Sequence, residues 1–239
     1  MKKIPVILLI AIVGLNSCIF DGPRVKGNGH VTTENKQLGE VTGVELHAFC
    51  DVYLIEGSAA GVKIEGEDNI ISHIMMHVEN GVLNIETEDD IWLSSHKPVK
   101  IFVTAPVFNH IESTGSGDII SQTKINNSDK LKIGLSGSGD LQLDVDAPEI
   151  NASASGSGDI KLTGETRKFN CDISGSGDIK ALDLKTEESD LGISGSGNIN
   201  VFTSVKLDAN ISGSGDVRYK GDAQVNSNIS GSGRVKKVN

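Results

Sequence analysis

The tripeptide Gly-Ser-Gly occurs seven times from residue 115 onwards, with its first glycine at 115, 137, 156, 175, 195, 213 and 231. Successive copies lie 22, 19, 19, 20, 18 and 18 residues apart. A near-constant period of this length marks a repeat architecture rather than a set of independent loops. Aligned on that glycine, apolar residues fall into columns. Two residues earlier stand Leu135, Ala154, Ile173, Ile193, Ile211 and Ile229, and four earlier stand Ile111, Ile133, Ala152, Cys171, Leu191 and Ala209. Six earlier stand Leu131, Ile150, Phe169, Leu207 and Val225; four later stand Ile119, Leu141, Ile160, Ile179, Ile199, Val217 and Val235. Polar residues fill the places between. This alternation has period two, so each repeat carries one strand into the glycines and another out of them.

A repeat this short cannot bury its apolar face alone. Coils stacked about 4.8 Å apart join like columns into one narrow core, with backbone hydrogen bonds running from coil to coil. The fold class is therefore all-β, a single-chain parallel β-helix (β-solenoid) with coils of 18–22 residues. Helical repeats are excluded by the spacing of two and by the density of glycine. Gly-Ser-Gly is then the corner of the coil. Glycine accepts positive φ and has no Cβ to strike the neighbouring coil, and the middle serine bonds locally. A hydroxyl residue precedes the first glycine in every copy (Thr114, Ser136, Ser155, Ser174, Ser194, Ser212, Ser230), which predicts a hydroxyl ladder.

After the second glycine come Asp118, Asp140, Asp159, Asp178, Asn198, Asp216 and Arg234. Carboxylates stacked at the coil spacing repel by about 1 kcal/mol per neighbour even in a water-like medium, which invites a cation. Calcium-binding β-rolls, however, carry G-G-x-G-x-D twice per turn. Here Asp follows Gly directly, once per coil, and the column includes Asn198 and ends in Arg234. The expectation is that these side chains satisfy turn amides; a calcium-stabilised roll is the alternative.

Residues 28–108 lack the corner register. They predict strands at Gly43–Glu56, Gly61–Gly66, Gly81–Glu88 after an Asn80-Gly81 turn, and Val99–Thr104, with one short helix within Asp68–His77. This irregular part is either the beginning of the solenoid or a cap on its end. No linker separates it from the repeat coils at 109–239, so continuity with the same core is expected. His73 and His77 would share a helical face, but no third ligand accompanies them, and no metal or cofactor is expected. Cys50 and Cys171 each alternate with polar neighbours as inward strand residues do, and no cysteine spacing suits zinc.

Lys2 and Lys3 precede an apolar run from Pro5 to Leu15, too short to span a bilayer but suited to a secretory signal. The run ends in Leu15-Asn16-Ser17-Cys18, which resembles a bacterial lipobox. The expected organisation is a lipoprotein signal peptide at 1–17, lipidation on Cys18 and a tether at 18–27. Ile19 rather than Asp after the cysteine points to the outer membrane, with the protein facing the periplasm or the cell exterior. Removing Lys2 and Lys3 takes the formal charge from −10 to −12, which excludes nucleic acid and an anionic lipid surface as partners.

The segment Val25-Lys26-Gly27-Asn28-Gly29, the stretch Val44–Ile55 and the S-G-S-G-[DN]-I copies together resemble the putative auto-transporter adhesin, head GIN domain family, over residues 28–235. The resemblance implies a β-helical fold at the cell envelope and brings no defined activity or catalytic residues. The function expected is a non-catalytic, lipid-anchored surface module that is adhesive or structural, with a glycan or a surface protein as partner. Candidate ligand-binding residues are Trp92, the one tryptophan, and Asp140, Asp159 and Asp178 of the corner column. Trp92 would stack on a sugar or anchor a partner, or else pack on the cap. The competing class is a carbohydrate-active β-helix enzyme. It is disfavoured because the acids repeat by coil instead of converging in one cleft lined by aromatics.

Overall fold

The computed structural model describes residues 22–239, so the signal segment 1–17 and the lipidation candidate Cys18 lie outside the described residues. The chain forms, in order, β1 (Arg24–Lys26), β2 (Val31–Lys36), β3 (Gly43–Leu46), β4 (Asp51–Glu56), β5 (Gly61–Glu67), α1 (Asp68–Ile71), β6 (Ile74–Glu79), β7 (Val82–Thr87), β8 (Trp92–Ser94) and β9 (Lys100–Ala105). There follow β10 (His110–Ser113), β11 (Ile119–Ser121), β12 (Ile125–Asn126), β13 (Lys130–Leu135), β14 (Leu141–Ala154) and β15 (Ile160–Ile173). The last are β16 (Ile179–Gly195), β17 (Ile199–Gly213), β18 (Val217–Lys220), β19 (Gln224–Gly231) and β20 (Val235–Lys237).

The coils stack in parallel, one above another, as a β-solenoid. From β10 onwards the order in space follows the sequence. Ile133 opposes Ala152, Ala152 opposes Cys171, Cys171 opposes Leu191 and Leu191 opposes Ala209. This apolar column is thus a continuous ladder inside the core. Ile179 and Ile199 are fully buried and each contributes about 1.5–3 kcal/mol by that burial. Coils of unequal length keep this register because the surplus is taken up away from the corner. The register shifts between Lys161 and Thr163, and again between Ala181 and Lys185.

The N-terminal part shares the core and also closes its end. Val41 to Phe108 belong to the same buried cluster as the repeat coils. The order in space departs here from the order in sequence. β3 lies between β7 and β10, and β4 lies between β9 and β11. Residues 82–105 therefore form a coil beneath residues 43–56, and the chain returns above them at β10. The exposed side of that lowest coil is covered by antiparallel strands, β6 on β7, β5 on β9 and β2 on β5. An edge that would otherwise template further pairing is thereby blocked.

Several expectations are corrected in this region. The strand predicted over Gly43–Glu56 is two strands, because His47–Cys50 turn the first corner of the column. The short helix expected within Asp68–His77 is Asp68–Ile71, and the Asn80-Gly81 turn draws Ile74–Glu79 into an antiparallel hairpin with β7. His73 therefore lies just beyond the helix and pairs with Glu88 (2.6 Å), while His77 sits on a strand opposite Asn84. Residues 24–26 of the predicted tether are a strand, parallel to β8.

Candidate functional site

The corner column is the most regular feature of the surface. Gly137 and Gly139 sit so close to Gly115 and Gly117 of the preceding coil that a Cβ on either would overlap the carbonyl oxygen below. The same holds at each later corner, and most of these glycines have ordinary negative φ. Close approach of stacked backbones, more than left-handed conformation, requires glycine here. The first corner shows the converse. Its equivalent positions are Ala48 and Cys50, against whose backbone Gly115 and Gly117 pack. No repeat coil lies beneath them, so side chains are allowed and the glycine signature disappears.

Asp140, Asp159 and Asp178 are brought together by a side-chain-to-backbone ladder. The Oδ1 of each column residue accepts the amide of its successor: Asp118 from Asp140 (2.8 Å), Asp140 from Asp159 (2.8 Å), Asp159 from Asp178 (2.9 Å) and Asp178 from Asn198 (2.8 Å). The ladder continues through Asn198 to Asp216 (3.0 Å) and ends where Arg234 gives both its amide and its guanidinium to Asp216. Burial raises the Asp159 carboxyl, but the bonds from Lys180 and the Asp178 amide outweigh it and hold it below the usual range. Amides thus meet the charge of the column, as expected from the sequence, and Lys180 and Arg234 add cations that the expectation did not include. Asn198 fits because the ladder needs only an acceptor oxygen.

The hydroxyl column behaves differently. Ser155 Oγ donates to Ser136 Oγ (3.1 Å) and His47 Nδ1 meets Thr114 Oγ1 (2.7 Å). Ser174, Ser194, Ser212 and Ser230 turn outward and line a shallow groove of about 410 Å³ with Asp172, Asn210 and Asn228. The groove crosses five coils; its surface is mostly apolar, and the serine hydroxyls and the amides of Asn210 and Asn228 line it.

Trp92 stands apart from this column, on the two-stranded sheet of β1 and β8, and is more than half exposed. An aromatic pair unanticipated from the sequence lies on the outer face of β4 and β9. Tyr53 stacks on Phe102 with centroids 5.0 Å apart, and Lys63 Nζ lies 4.1 Å from the Phe102 centroid. Cys50 and Cys171 are buried free thiols, as expected. Burial pushes the Cys50 thiol up to about 12 and raises Cys171 well above its ordinary value, so neither is a nucleophile at neutral pH.

The segment Gly27-Asn28-Gly29 wraps a buried carboxylate. Glu67 accepts from the amides of Gly29 (2.6 Å) and His96 (2.8 Å) and from the Ser95 hydroxyl (2.8 Å). Any Cβ on Gly27 would overlap that carboxylate. Asn28 completes the clasp by donating to Asp68 Oδ1 (2.6 Å). Burial pushes the Glu67 carboxyl up, yet the Ser95 bond and the His96, Gly29 and Lys97 amides bring it down to about 2.

A second polar cluster, also unanticipated, lies on β3 and β10. Glu45, His110 and Glu112 place their ligand atoms within 4.8 Å of one another, which makes them the group able to hold a metal among the described residues. The signal was present as Glu45-Leu46-His47 and His110-Ile111-Glu112. Spacing of two puts both polar ends outward while Leu46 and Ile111 point into the core.

Residues 40–223 match the family model described as "Putative auto-transporter adhesin, head GIN domain". Among solved structures, a putative adhesin from Bacteroides fragilis NCTC 9343 is similar at a TM-score of 0.86 and 23% identity, over 90% of this chain and 100% of that one. A putative lipid binding protein from Parabacteroides distasonis ATCC 8503 is similar at 0.73 and 25%, over 90% and 100%. A putative adhesin from Parabacteroides merdae ATCC 43184 is similar at 0.72 and 21%, over 91% and 100%. No curated protein matches the sequence. Among the described residues, no helix is long and apolar enough to cross a membrane.

Proposed function

The chain belongs to the putative auto-transporter adhesin, head GIN domain family, and on that premise we propose that it is a non-catalytic, envelope-anchored binding module that lays an extended glycan along the serine groove of its coils. The observation that carries this reading is the repetition of Ser174, Ser194, Ser212 and Ser230 at one place on successive coils. A row of identical donors at a spacing of about 4.8 Å suits a polymer with its own repeat more than a single small molecule. Catalysis would need an acid and a base of different character converging on one bond. In this protein the regular acids are engaged by amides, one coil after another. The anchor is the Cys18 lipid, and the outer membrane its destination.

The test is a glycan array probed with the purified full-length chain, beside the Ser194→Trp variant. Ser194 is exposed at the groove centre, so the bulky ring fills the groove without entering the core. Glycan binding that the variant loses supports the reading. Binding equal in both proteins moves the site elsewhere. Capture of a surface protein or of lipid vesicles without any glycan overturns the ligand class, and cleavage of a polysaccharide overturns the non-catalytic assignment.

A further inference from the structure

We propose that Glu45, His47, His110 and Glu112 form a binding site for a divalent transition-metal ion, with zinc as the ion whose ligand preferences they match. His110 Nε2 lies 2.8 Å from Glu45 Oε1 and 3.6 Å from Glu112 Oε2. His47 Nε2 lies 3.6 Å from the other oxygen of Glu45. In a tetrahedral zinc site with ligand bonds of 2.0–2.1 Å, the ligand atoms stand about 3.3 Å from each other. Glu45, His110 and Glu112 already hold their ligand atoms within 4.8 Å of one another, so an ion settles among these three with small side-chain adjustments, and His47, on the other oxygen of Glu45, must swing inward to complete the set. Two imidazoles select against calcium and magnesium, which prefer all-oxygen sites, and two carboxylates balance the charge of a divalent ion.

The surroundings support this arrangement. His47 Nδ1 is 2.7 Å from the Thr114 hydroxyl; when Nδ1 donates that bond, the Nε2 lone pair is left free on the side of Glu45. Outer-shell bonds of this kind orient metal-binding imidazoles. Glycine on the neighbouring strands clears the space on both sides. A Cβ on Gly43 would press on the His110 Cβ, and one on Gly134 would press on the Glu112 side chain. All four candidate ligands sit on rigid parallel strands or directly after one, and their side chains are 14–32% exposed, shielded yet open to an entering ion. The one opposing group is Lys132, whose Nζ lies 3.6 Å from Glu112 Oε2. It occupies the carboxylate as the resident cation and competes with the metal.

The competing reading is a purely structural network of ion pairs, and Lys132 separates the two. The experiment is titration of the full-length chain, stripped with chelator, with zinc at fixed pH, followed by calorimetry and by the visible spectrum of the cobalt-substituted protein. The site predicts one zinc per chain, with affinity lowered about 10-fold or more by His110→Gln, Glu112→Gln or His47→Gln and severalfold by Thr114→Val. Lys132→Met should raise zinc affinity severalfold. Should His110→Gln fail to fold, the part-exposed His47→Gln and Glu112→Gln carry the same test. Absence of zinc binding at millimolar concentration overturns the site. So does binding that survives the double replacement of His47 and Glu112, or that is unmoved by Lys132→Met.

Discussion

Asp178 Oδ1 accepts the backbone amide of Asn198, its register partner one coil on, at 2.8 Å, and accepts the Asn198 side-chain amide at 2.9 Å. The carboxylate therefore does for this corner what a backbone carbonyl does along the strands. Replacing Asp178 with Ala leaves the Asn198 amide without its acceptor, at an expected cost of about 2 kcal/mol in urea unfolding. Asp178→Asn retains an acceptor oxygen, as Asn198 itself does for Asp216, and should cost less than half as much. Equal losses in the two variants would show that charge, not the acceptor, matters. On the same grounds, added calcium should leave the melting temperature unmoved.

The corner glycines predict a sharp contrast. Gly139→Ala sets a Cβ against the carbonyl of Gly117, a backbone atom that the ladder holds in place. The coils must part there, and the expected loss is at least about 3 kcal/mol, at the upper end of overpacking costs. Gly61 has open space where its Cβ would stand, so Gly61→Ala should change stability by no more than about 0.5 kcal/mol. Chemical unfolding of both variants checks the pair. A tolerated Gly139→Ala would mean that the coil spacing is adjustable.

From residue 109 onwards the fold was legible almost residue by residue, because stacking makes each column report its own neighbours. Ile173 above Ala154 and below Ile193 follows from alignment alone, and the structure pairs them so. The N-terminal half was legible only as strands. Its first corner lacks glycine because nothing in the repeat stack lies under Ala48 and Cys50, and the coil at 82–105 inserts beneath its own predecessor, an order that no local pattern records. The purpose of Gly27-Asn28-Gly29 could not be read from spacing either, since its partner Glu67 lies 38 residues beyond Gly29. The Glu45–His110 contact was hidden for the same reason: two unremarkable i, i+2 pairs meet only through a separation of 65 residues.

Ser113 occupies the apolar column between Leu46 and Leu135, fully buried, and its hydroxyl has no hydrogen-bond partner. A buried hydroxyl without a partner costs about 1–3 kcal/mol. Ser113→Ala should therefore stabilise the protein, by about 1 kcal/mol, seen as a higher melting temperature. A lower melting temperature would reveal a bond to that hydroxyl.

The anchor assignment rests on residues before the described part of the chain and has a direct check. Cys18→Ala should leave the protein unlipidated and move it from the membrane pellet to the soluble fraction. A variant that still sediments with membranes, and still carries label from a fatty-acid precursor, would remove lipidation on Cys18 from the account.

Glu67 gives the fold a specific sensitivity to acid. Its carboxyl lies at about 2 in the folded chain against an ordinary value of 4.5. A group depressed on folding adds stability that is fully present above its unfolded value and disappears as pH falls through the folded one. The contribution should thus be complete above about pH 5 and fade between about pH 4.5 and 2. Glu67→Gln keeps the shape of the clasp but turns part of an acceptor into a donor facing the Gly29, His96 and Lys97 amides. The variant should be less stable than the parent at neutral pH, and the gap should close as pH approaches 2. Asp68, Glu149, Asp159, Asp208 and Asp222 are also held low but are common to both proteins, so the difference between the two curves isolates Glu67. Urea midpoints measured from pH 7 to pH 2 supply those curves. A gap that stays constant across the range would mean that the clasp is held by shape alone, with no part played by the carboxylate charge.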